Sequence, residues 1–148
     1  IILAALTRSF LIAIISIVVF SIIVEIPINS ILFIFIFGFL SAFILGSLGF
    51  IAGLWAEKFD HTATVTNFVI TPLSFLSGVF YSIDKLPNFF QTISHINPFF
   101  YMIDGFRYGF LGKSDGSINV GLIYLTILSI VTWYVAFFLY KKGYKIKS

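Results

Sequence analysis

Charged residues divide the chain into long uncharged stretches. These stretches cover residues 9–24, 26–56, 62–83 and 117–140. A helix needs about 20 apolar residues to cross the hydrocarbon core of a bilayer, so the last three stretches are long enough as they stand. The first reaches that length when it extends back through residues 1–6, beyond Arg8. The pattern therefore predicts four transmembrane helices, over about 1–24, 30–55, 62–81 and 118–140.

Between the third and fourth spans, residues 82–116 interrupt an aromatic sequence with acidic, amide, imidazole and proline side chains. This segment is too polar to cross a membrane and too apolar to be a solvated loop. Irregular backbone at membrane depth needs protein or a water-filled cavity to satisfy its polar groups. We therefore predict a pair of short re-entrant or interfacial helices here, within a single all-α integral membrane domain over residues 1–148.

Composition agrees with this class. Of the 148 residues, 59% are hydrophobic and 10% are charged, and the mean hydropathy is +1.08, whereas soluble domains are about half apolar and a quarter charged. The chain has no cysteine, which excludes disulfides and thiolate metal sites. Its formal charge of +3 is clustered only at the C-terminus, which gives no support to a nucleic-acid partner. The chain opens at Ile1 in apolar sequence without signal-peptide features, and we expect it to be truncated at its N-terminus.

The positions of lysine and arginine predict the orientation, because these residues are more frequent on the cytoplasmic side. With four spans and a cytoplasmic C-terminus, the residues on the inside are Arg8, Lys58, Lys141, Lys142, Lys145 and Lys147. Those on the outside are Lys85, Arg107 and Lys113. The distribution favours this orientation, which places residues 82–116 on the extracytoplasmic side.

Small residues recur at helical spacing along the second span. They are Gly38, Ala42, Gly46, Gly49 and Gly53. Small side chains let helix backbones approach closely, and this matters in lipid because no hydrophobic effect draws helices together. We interpret the row as a helix-packing surface, either within this subunit or at a dimer or moving interface.

The third span carries hydroxyl and amide side chains at spacings of three and four residues, so they form one polar stripe. Pro72 should kink the helix because it removes a backbone hydrogen bond. The candidate pathway residues are Asn67, Thr71, Ser74 and Ser77. Two interpretations remain open: the stripe lines a substrate path, or it makes hydrogen bonds between helices, with Thr71 easing the proline break.

Within the segment 82–116, Asp104 and Arg107 stand three residues apart, the spacing of a helical side-chain pair. An ionisable pair near membrane depth suggests a functional site, although a structural ion pair is the alternative. The candidate outer-gate and re-entrant residues are His95, Asn97, Pro98, Tyr101, Asp104 and Arg107. Anchoring of the aromatic residues at the membrane interface is the alternative to a gate.

Enzyme signatures are missing from the sequence. No phosphate-binding loop of the type G-x-x-x-x-G-K-[ST] occurs, and no H-E-x-x-H zinc motif occurs. Ser77 and Gly78 match half of an intramembrane serine protease signature, but Phe75 stands where that signature requires glycine. The sequence therefore predicts neither an enzyme nor a bound cofactor or metal in this chain.

Residues 67–112 read NFVITPLSFLSGVFYSIDKLPNFFQTISHINPFFYMIDGFRYGFLG. This region resembles the signature region of ABC-2 type permeases, the membrane subunits of ABC exporters for drugs, lipids or polysaccharides. The matching elements, in order, are 71–73, 77–81, 86–87, 97–98, Tyr101 and 105–112, with the turn 58–60 upstream. The resemblance places the four spans as helices three to six of a six-helix permease whose earlier helices and coupling helix are absent here.

The resemblance also implies a mechanism and partners. It implies a permease homodimer in the bacterial cytoplasmic (inner) membrane, seated on separate ATPase subunits that bind ATP and Mg²⁺. Such a multi-pass protein, surrounded by membrane lipid, exports a hydrophobic or amphipathic substrate when the ATPase closes. The family's short extracellular re-entrant helices match the segment 82–116. A non-transporting membrane scaffold that positions partner proteins is the alternative function.

Overall fold

The computed structural model describes residues 2–56, 63–80 and 83–142. Their helices are α1 (Ile2–Ile23), α2 (Ile31–Trp55), α3 (Ala63–Phe75), α4 (Asn88–Ile96), α5 (Pro98–Leu111) and α6 (Ile118–Lys141). A short 3-10 turn, Ile83–Lys85, precedes α4. No strand occurs among the described residues, and the predicted all-α class is confirmed.

Three helices, α1, α2 and α6, are long and apolar enough to cross a membrane. Helix α3 is apolar but shorter than the span predicted over 62–81, because its backbone is irregular. Thr66–Ile70 form a π-helical turn, and the helix ends at Phe75. Gly78 then adopts a φ of 77°, a left-handed conformation that breaks any continuation of the helix. Both ends of the predicted span, Thr62 and Tyr81, lie outside the described residues.

The core lies where α2, α5 and α6 pack together. Its buried members are Phe37, Ile44, Ile83, Phe100, Tyr101, Met102 and Leu125. Helix α1 packs along α2, and α3 makes few contacts with the rest of the described chain. The predicted pair of short helices before the last span is present as α4 and α5, and α5 is part of the core rather than a surface element.

Helix α5 approaches α2 closely because it carries glycines at the contact. A Cβ atom added to Gly105 would lie 2.1 Å from the ring of Phe37, and one added to Gly109 would lie 2.8 Å from the amide nitrogen of Ile34. Sequence reasoning had placed the close approach on α2 alone. The contact therefore depends on glycines that the sequence pattern of α2 did not reveal.

The small residues of α2 have different surroundings. Gly38 faces Phe106 of α5, and Gly46 faces Ala5 of α1, each at 3.3 Å from an added Cβ. Ala42 lines an apolar groove between α1 and α2. Gly49 and Gly53 have no atom within 4 Å of an added Cβ, so the second half of the row faces open space within the described part of the chain.

Candidate functional site

Arg107 lies at the centre of the polar cluster of the molecule. One guanidinium nitrogen donates to Oδ2 of Asp115 at 2.9 Å, and the other donates to the carbonyl of Gly78 at 2.6 Å. The cluster of Arg107, Asp104, Asp115 and the Gly78 carbonyl is called the Arg107 clamp below. It joins α5, the turn before α6 and the end of α3.

Asp104 is the buried member of the Arg107 clamp, with 2% of its surface exposed. Its two carboxylate oxygens accept hydrogen bonds from the amides of Asp115, at 2.7 Å, and Gly116, at 3.0 Å. Close packing at Gly116 accompanies these bonds, because a Cβ there would lie 3.0 Å from the ring of Phe100. Asp104 therefore holds the turn before α6 through two backbone hydrogen bonds.

The predicted pairing of Asp104 with Arg107 is present but is the longer of two ion pairs. Their nearest charged atoms are 3.8 Å apart, against 2.9 Å for Arg107 and Asp115. Asp115 also accepts a hydrogen bond of 3.3 Å from the amide of Ile83. Helical spacing does not predict the pairing of Arg107 with Asp115, because Asp115 lies in a turn eight residues away.

Burial governs the ionisation of Asp104, which lies in a helix of 14 residues, too short to span a membrane. Removal from water raises the pKa of this carboxyl above its ordinary value, and the nearby negative charge of Asp115 acts in the same direction. The amides of Asp115 and Gly116, together with the Arg107 guanidinium, oppose the rise by stabilising the carboxylate. The hydrogen bonds and the cation thus lower the cost of placing a charge at this buried position.

Asn97 makes a second connection between α5 and α3. Its side-chain oxygen accepts from the amide of Phe99 at 3.0 Å and so caps α5, with Pro98 in the first turn. Its side-chain nitrogen donates to the carbonyl of Leu73 at 2.6 Å. The Leu73 carbonyl lies in the last turn of α3. The amide four residues later, that of Ser77, bonds instead to the Ser74 carbonyl, at 3.3 Å. Two side chains of α5 therefore hold backbone carbonyls of the α3 segment.

The hydroxyl groups predicted to line a pathway donate to carbonyls of their own segment. Thr71 donates to Thr66 at 3.0 Å, Ser74 donates to Ile70 at 2.8 Å, and the buried Ser77 donates to Ser74. The Thr71 amide also bonds to the Thr66 carbonyl, which closes the π-helical turn beside Pro72. Asn67 is exposed. These bonds stay within the α3 segment, where they satisfy backbone carbonyls around the proline break, and none of them reaches another helix.

His95 and Tyr101 lie among aromatic rings rather than in the Arg107 clamp. The exposed imidazole of His95 packs edge-to-face on Phe100, with ring centroids 5.2 Å apart. The ring of Tyr101 is buried against Tyr124, at 5.1 Å. Tyr124 in turn donates to the carbonyl of Ile96 at the end of α4, at 2.8 Å. These contacts tie the α4–α5 junction to α6.

The chemistry available to this site is electrostatic and positional. Across residues 2–56, 63–80 and 83–142, no group of three or more His, Asp or Glu side chains is placed to hold a metal ion. An activated nucleophile requires a hydrogen bond to a side-chain base, whereas the Ser77 hydroxyl donates to a backbone carbonyl. The arrangement is suited to holding or releasing one segment against another.

Comparison with known proteins gives a consistent family. Residues 1–111 match the family model described as ABC-2 type transporter. The chain is 39% identical over 109 residues to the inner membrane transport permease YadH of Escherichia coli strain K12, across 74% of this chain and 43% of that protein. It is 27% identical over 97 residues to nodulation protein J of Sinorhizobium fredii strain NGR234, across 66% of this chain and 37% of that protein.

A third relative, nodulation protein J of Rhizobium leguminosarum bv. viciae, is 32% identical over 90 residues, across 61% of this chain and 35% of that protein. The matched part of the chain thus spans less than half of each of these curated relatives. No solved structure matches the chain. The family match covers three quarters of the chain and includes most of the region 67–112, on which the predicted resemblance rested. The chain therefore belongs to the ABC-2 type transporter family.

Proposed function

We propose that this chain forms part of the permease subunit of an ATP-binding cassette exporter in a bacterial cytoplasmic membrane. The observation that carries the proposal is membership of the ABC-2 type transporter family, together with the similarity to a relative named as an inner membrane transport permease. Three helices of membrane-spanning length agree with it. A separate ATPase subunit supplies the energy, and residues 1–148 contain no phosphate-binding loop.

The exported substrate is hydrophobic or amphipathic: a drug, a lipid or a polysaccharide carried on a lipid. Large apolar side chains are exposed on every span-length helix, among them Ile22, Phe35 and Ile127. The C-terminus lies in the cytoplasm and the pair α4–α5 lies on the extracytoplasmic side, as the distribution of lysine and arginine favours. Two copies of the permease pair with two ATPase subunits.

In this arrangement α4 and α5 form the outer gate and α3 borders the pathway. The Arg107 clamp and Asn97 support this role, because they join α5 to the end of α3 by directional bonds to two carbonyls. Packing in a core has few alternative arrangements, whereas a charged hydrogen bond that is partly exposed to water has alternative partners. Arg107, with 22% of its side chain exposed, can exchange Gly78 for water when α3 moves.

The test is transport by the complete protein. The full-length permease is purified with the ATPase encoded beside it and reconstituted in proteoliposomes, and ATP-dependent movement of labelled drugs and lipids is measured. We expect movement to require the permease, the ATPase and ATP. A stable complex that moves no candidate substrate and shows no substrate-stimulated ATP hydrolysis would contradict the proposal and favour the scaffold function.

A further inference from the structure

The C-terminal end of α6 places a basic surface beside an apolar cleft. The cleft has a volume of about 390 Å³ and is lined by Ile2, Leu3, Phe50, Trp133, Ala136, Phe137 and Tyr140. It lies where the first turn of α1, the second half of α2 and the last turns of α6 meet. A volume this large is more than ten times the ~30 Å³ that one water molecule occupies.

The basic surface adjoins the cleft along the next face of the same helix. Its residues are Tyr134, Phe137, Phe138, Lys141 and Lys142. Phe137 belongs to both sets, so the two are continuous. Lys142 is held over the ring of Phe138, with its nitrogen 4.9 Å from the centroid. This cation–π contact places an exposed ammonium group beside the helix.

We propose that this end of α6 binds one anionic phospholipid of the surrounding membrane. Its acyl chain enters the apolar cleft, and its phosphate lies against Lys141 and Lys142. This inference rests on membership of a membrane transporter family but not on the direction or the substrate of transport.

The two lysines and the apolar cleft together identify an anionic phospholipid as the occupant. A lysine at the end of a span also extends towards the membrane surface without any specific ligand, so the two lysines alone carry no inference. The cleft adds an apolar site that can hold a hydrocarbon chain, and it lies directly beside the cations because Phe137 lines both. Basic pockets between transmembrane helices bind anionic headgroups in this way.

Ala136 gives a way to test the acyl part separately from the headgroup part. It is buried, with 2% of its surface exposed, and it lines the cleft. A larger side chain at this position fills the space that the acyl chain uses while leaving both lysines in place. Replacing Lys141 and Lys142 by glutamine removes the charges while leaving the cleft open.

The experiment measures retained lipid on the full-length permease by native mass spectrometry. The protein is purified from nanodiscs that contain phosphatidylglycerol and phosphatidylcholine in equal amounts. We expect phosphatidylglycerol to be retained in preference to phosphatidylcholine. The double variant Lys141→Gln, Lys142→Gln should lower retention of phosphatidylglycerol roughly 25-fold, at about fivefold for each basic residue near a membrane surface.

Two comparisons complete the test. Lys113→Gln, at an exposed lysine in the turn before α6, should leave retention unchanged. Ala136→Met should reduce retention of both lipids, and a size-exclusion profile like that of the parent protein shows that it has folded. Should Ala136→Met prevent folding, Leu3→Ala, at an exposed side chain that lines the cleft but not the basic surface, provides the second cleft variant and should weaken retention.

Equal retention of the two lipids by the parent protein would overturn the proposal. So would an equal loss on Lys113→Gln, or a cleft that retains neither lipid because another part of the full-length chain fills it. If the lysine variants lose a co-purifying protein but no lipid, the basic surface serves a protein partner and the proposal fails.

Discussion

Helices α5 and α3 differ in the forces that hold them, although both carry polar side chains through an apolar protein. Helix α5 is packed between α2 and α6, with Phe100, Met102 and Asp104 buried. In and after α3, Phe68, Phe75 and Phe80 are more than half exposed. Apolar packing at glycines fixes α5, whereas hydrogen bonds from α5 hold α3. The fold therefore separates a rigid part from a part whose attachment is polar.

The difference has a physical consequence for motion. Close packing transmits force but has few alternative arrangements, and a helix with few buried contacts belongs to the less stable end of a structure. The π-helical turn, Pro72 and the positive φ of Gly78 interrupt the regular backbone of the α3 segment three times. We infer that α3 moves relative to α5 more readily than α5 moves relative to α2.

The largest effect is expected where α5 meets α2. Gly105→Ala places a Cβ atom 2.1 Å from the buried ring of Phe37, and we expect a loss of about 3 kcal/mol, at the upper end for overpacking. Thermal unfolding of the full-length protein in detergent measures it. Gly53→Ala is the matched control, because its Cβ meets no atom within 4 Å, and it should be neutral or stabilising by up to ~1 kcal/mol. Similar losses in both variants would contradict the packing comparison.

Removing the buried carboxylate should have the second-largest effect. Asp104→Ala leaves the amides of Asp115 and Gly116 without their acceptor, and we expect a loss of about 2 to 3 kcal/mol, given ~1 to 3 kcal/mol for each buried unsatisfied group. Glu25→Ala, at an exposed carboxylate, should change stability by less than ~0.5 kcal/mol. Equal unfolding temperatures for the two variants would show that Asp104 does not organise the turn.

Much of this contrast follows from the sequence. The uncharged stretches predicted α1, α2 and α6, and the polar interruptions predicted the pair of short helices, because hydropathy and period are local properties. The pairing of Asp104 with Arg107 was predictable from helical spacing. Asp115 and the Gly78 carbonyl were not, because a turn and a backbone group have no side-chain period. The close approach at Gly105 was not predicted, because the sequence does not say which residue of another helix packs against a given glycine.

Breaking the Arg107 clamp should release α3 more than it destabilises the fold. Arg107→Gln removes the bonds to Asp115 and the Gly78 carbonyl, and we expect a loss of about 1.5 to 2 kcal/mol, at the lower end for hydrogen bonds of charged groups because Arg107 is partly exposed. This part of the chain has no cysteine, so spin labels at cysteines replacing Phe68 and Leu111, both exposed, report the distance between α3 and α5. The distance distribution should broaden.

Two further variants make the test of the Arg107 clamp specific. Lys113→Gln removes an exposed charge near the same turn and should leave the distance distribution unchanged. Combining Arg107→Gln with Asp115→Asn should give a coupling of about 1 kcal/mol in a double-mutant cycle, because the two side chains share a bond of 2.9 Å. Strictly additive losses would show that this ion pair contributes nothing to the attachment of α3.

Asn97 allows the cap of α5 to be separated from the attachment of α3. Asn97→Ser keeps an oxygen that caps α5 but loses the donor to the Leu73 carbonyl, and we expect a loss of about 1 kcal/mol. Asn97→Ala loses both functions and should cost about 2 kcal/mol. Urea unfolding of the reconstituted protein compares them. If the two variants lose equal stability, the bond to Leu73 makes no net contribution.

The smallest effects on stability are expected in the polar stripe of α3, where they distinguish a pathway from internal hydrogen bonding. The Ser74 hydroxyl already donates to the Ile70 carbonyl, so Ser74→Ala should leave both export and stability within experimental error, with less than ~0.5 kcal/mol of change. Asn67 is exposed on the same stripe, and a polar group that faces a substrate contributes to binding without contributing to folding. Asn67→Leu should therefore lower the rate of export severalfold, measured in the proteoliposome assay, at unchanged stability. The opposite result would be export that depends on Ser74 but not on Asn67. It would mean that the substrate contacts the side of α3 that carries the serine and threonine hydroxyls. The hydroxyls that stabilise the backbone of α3 would then also line the pathway.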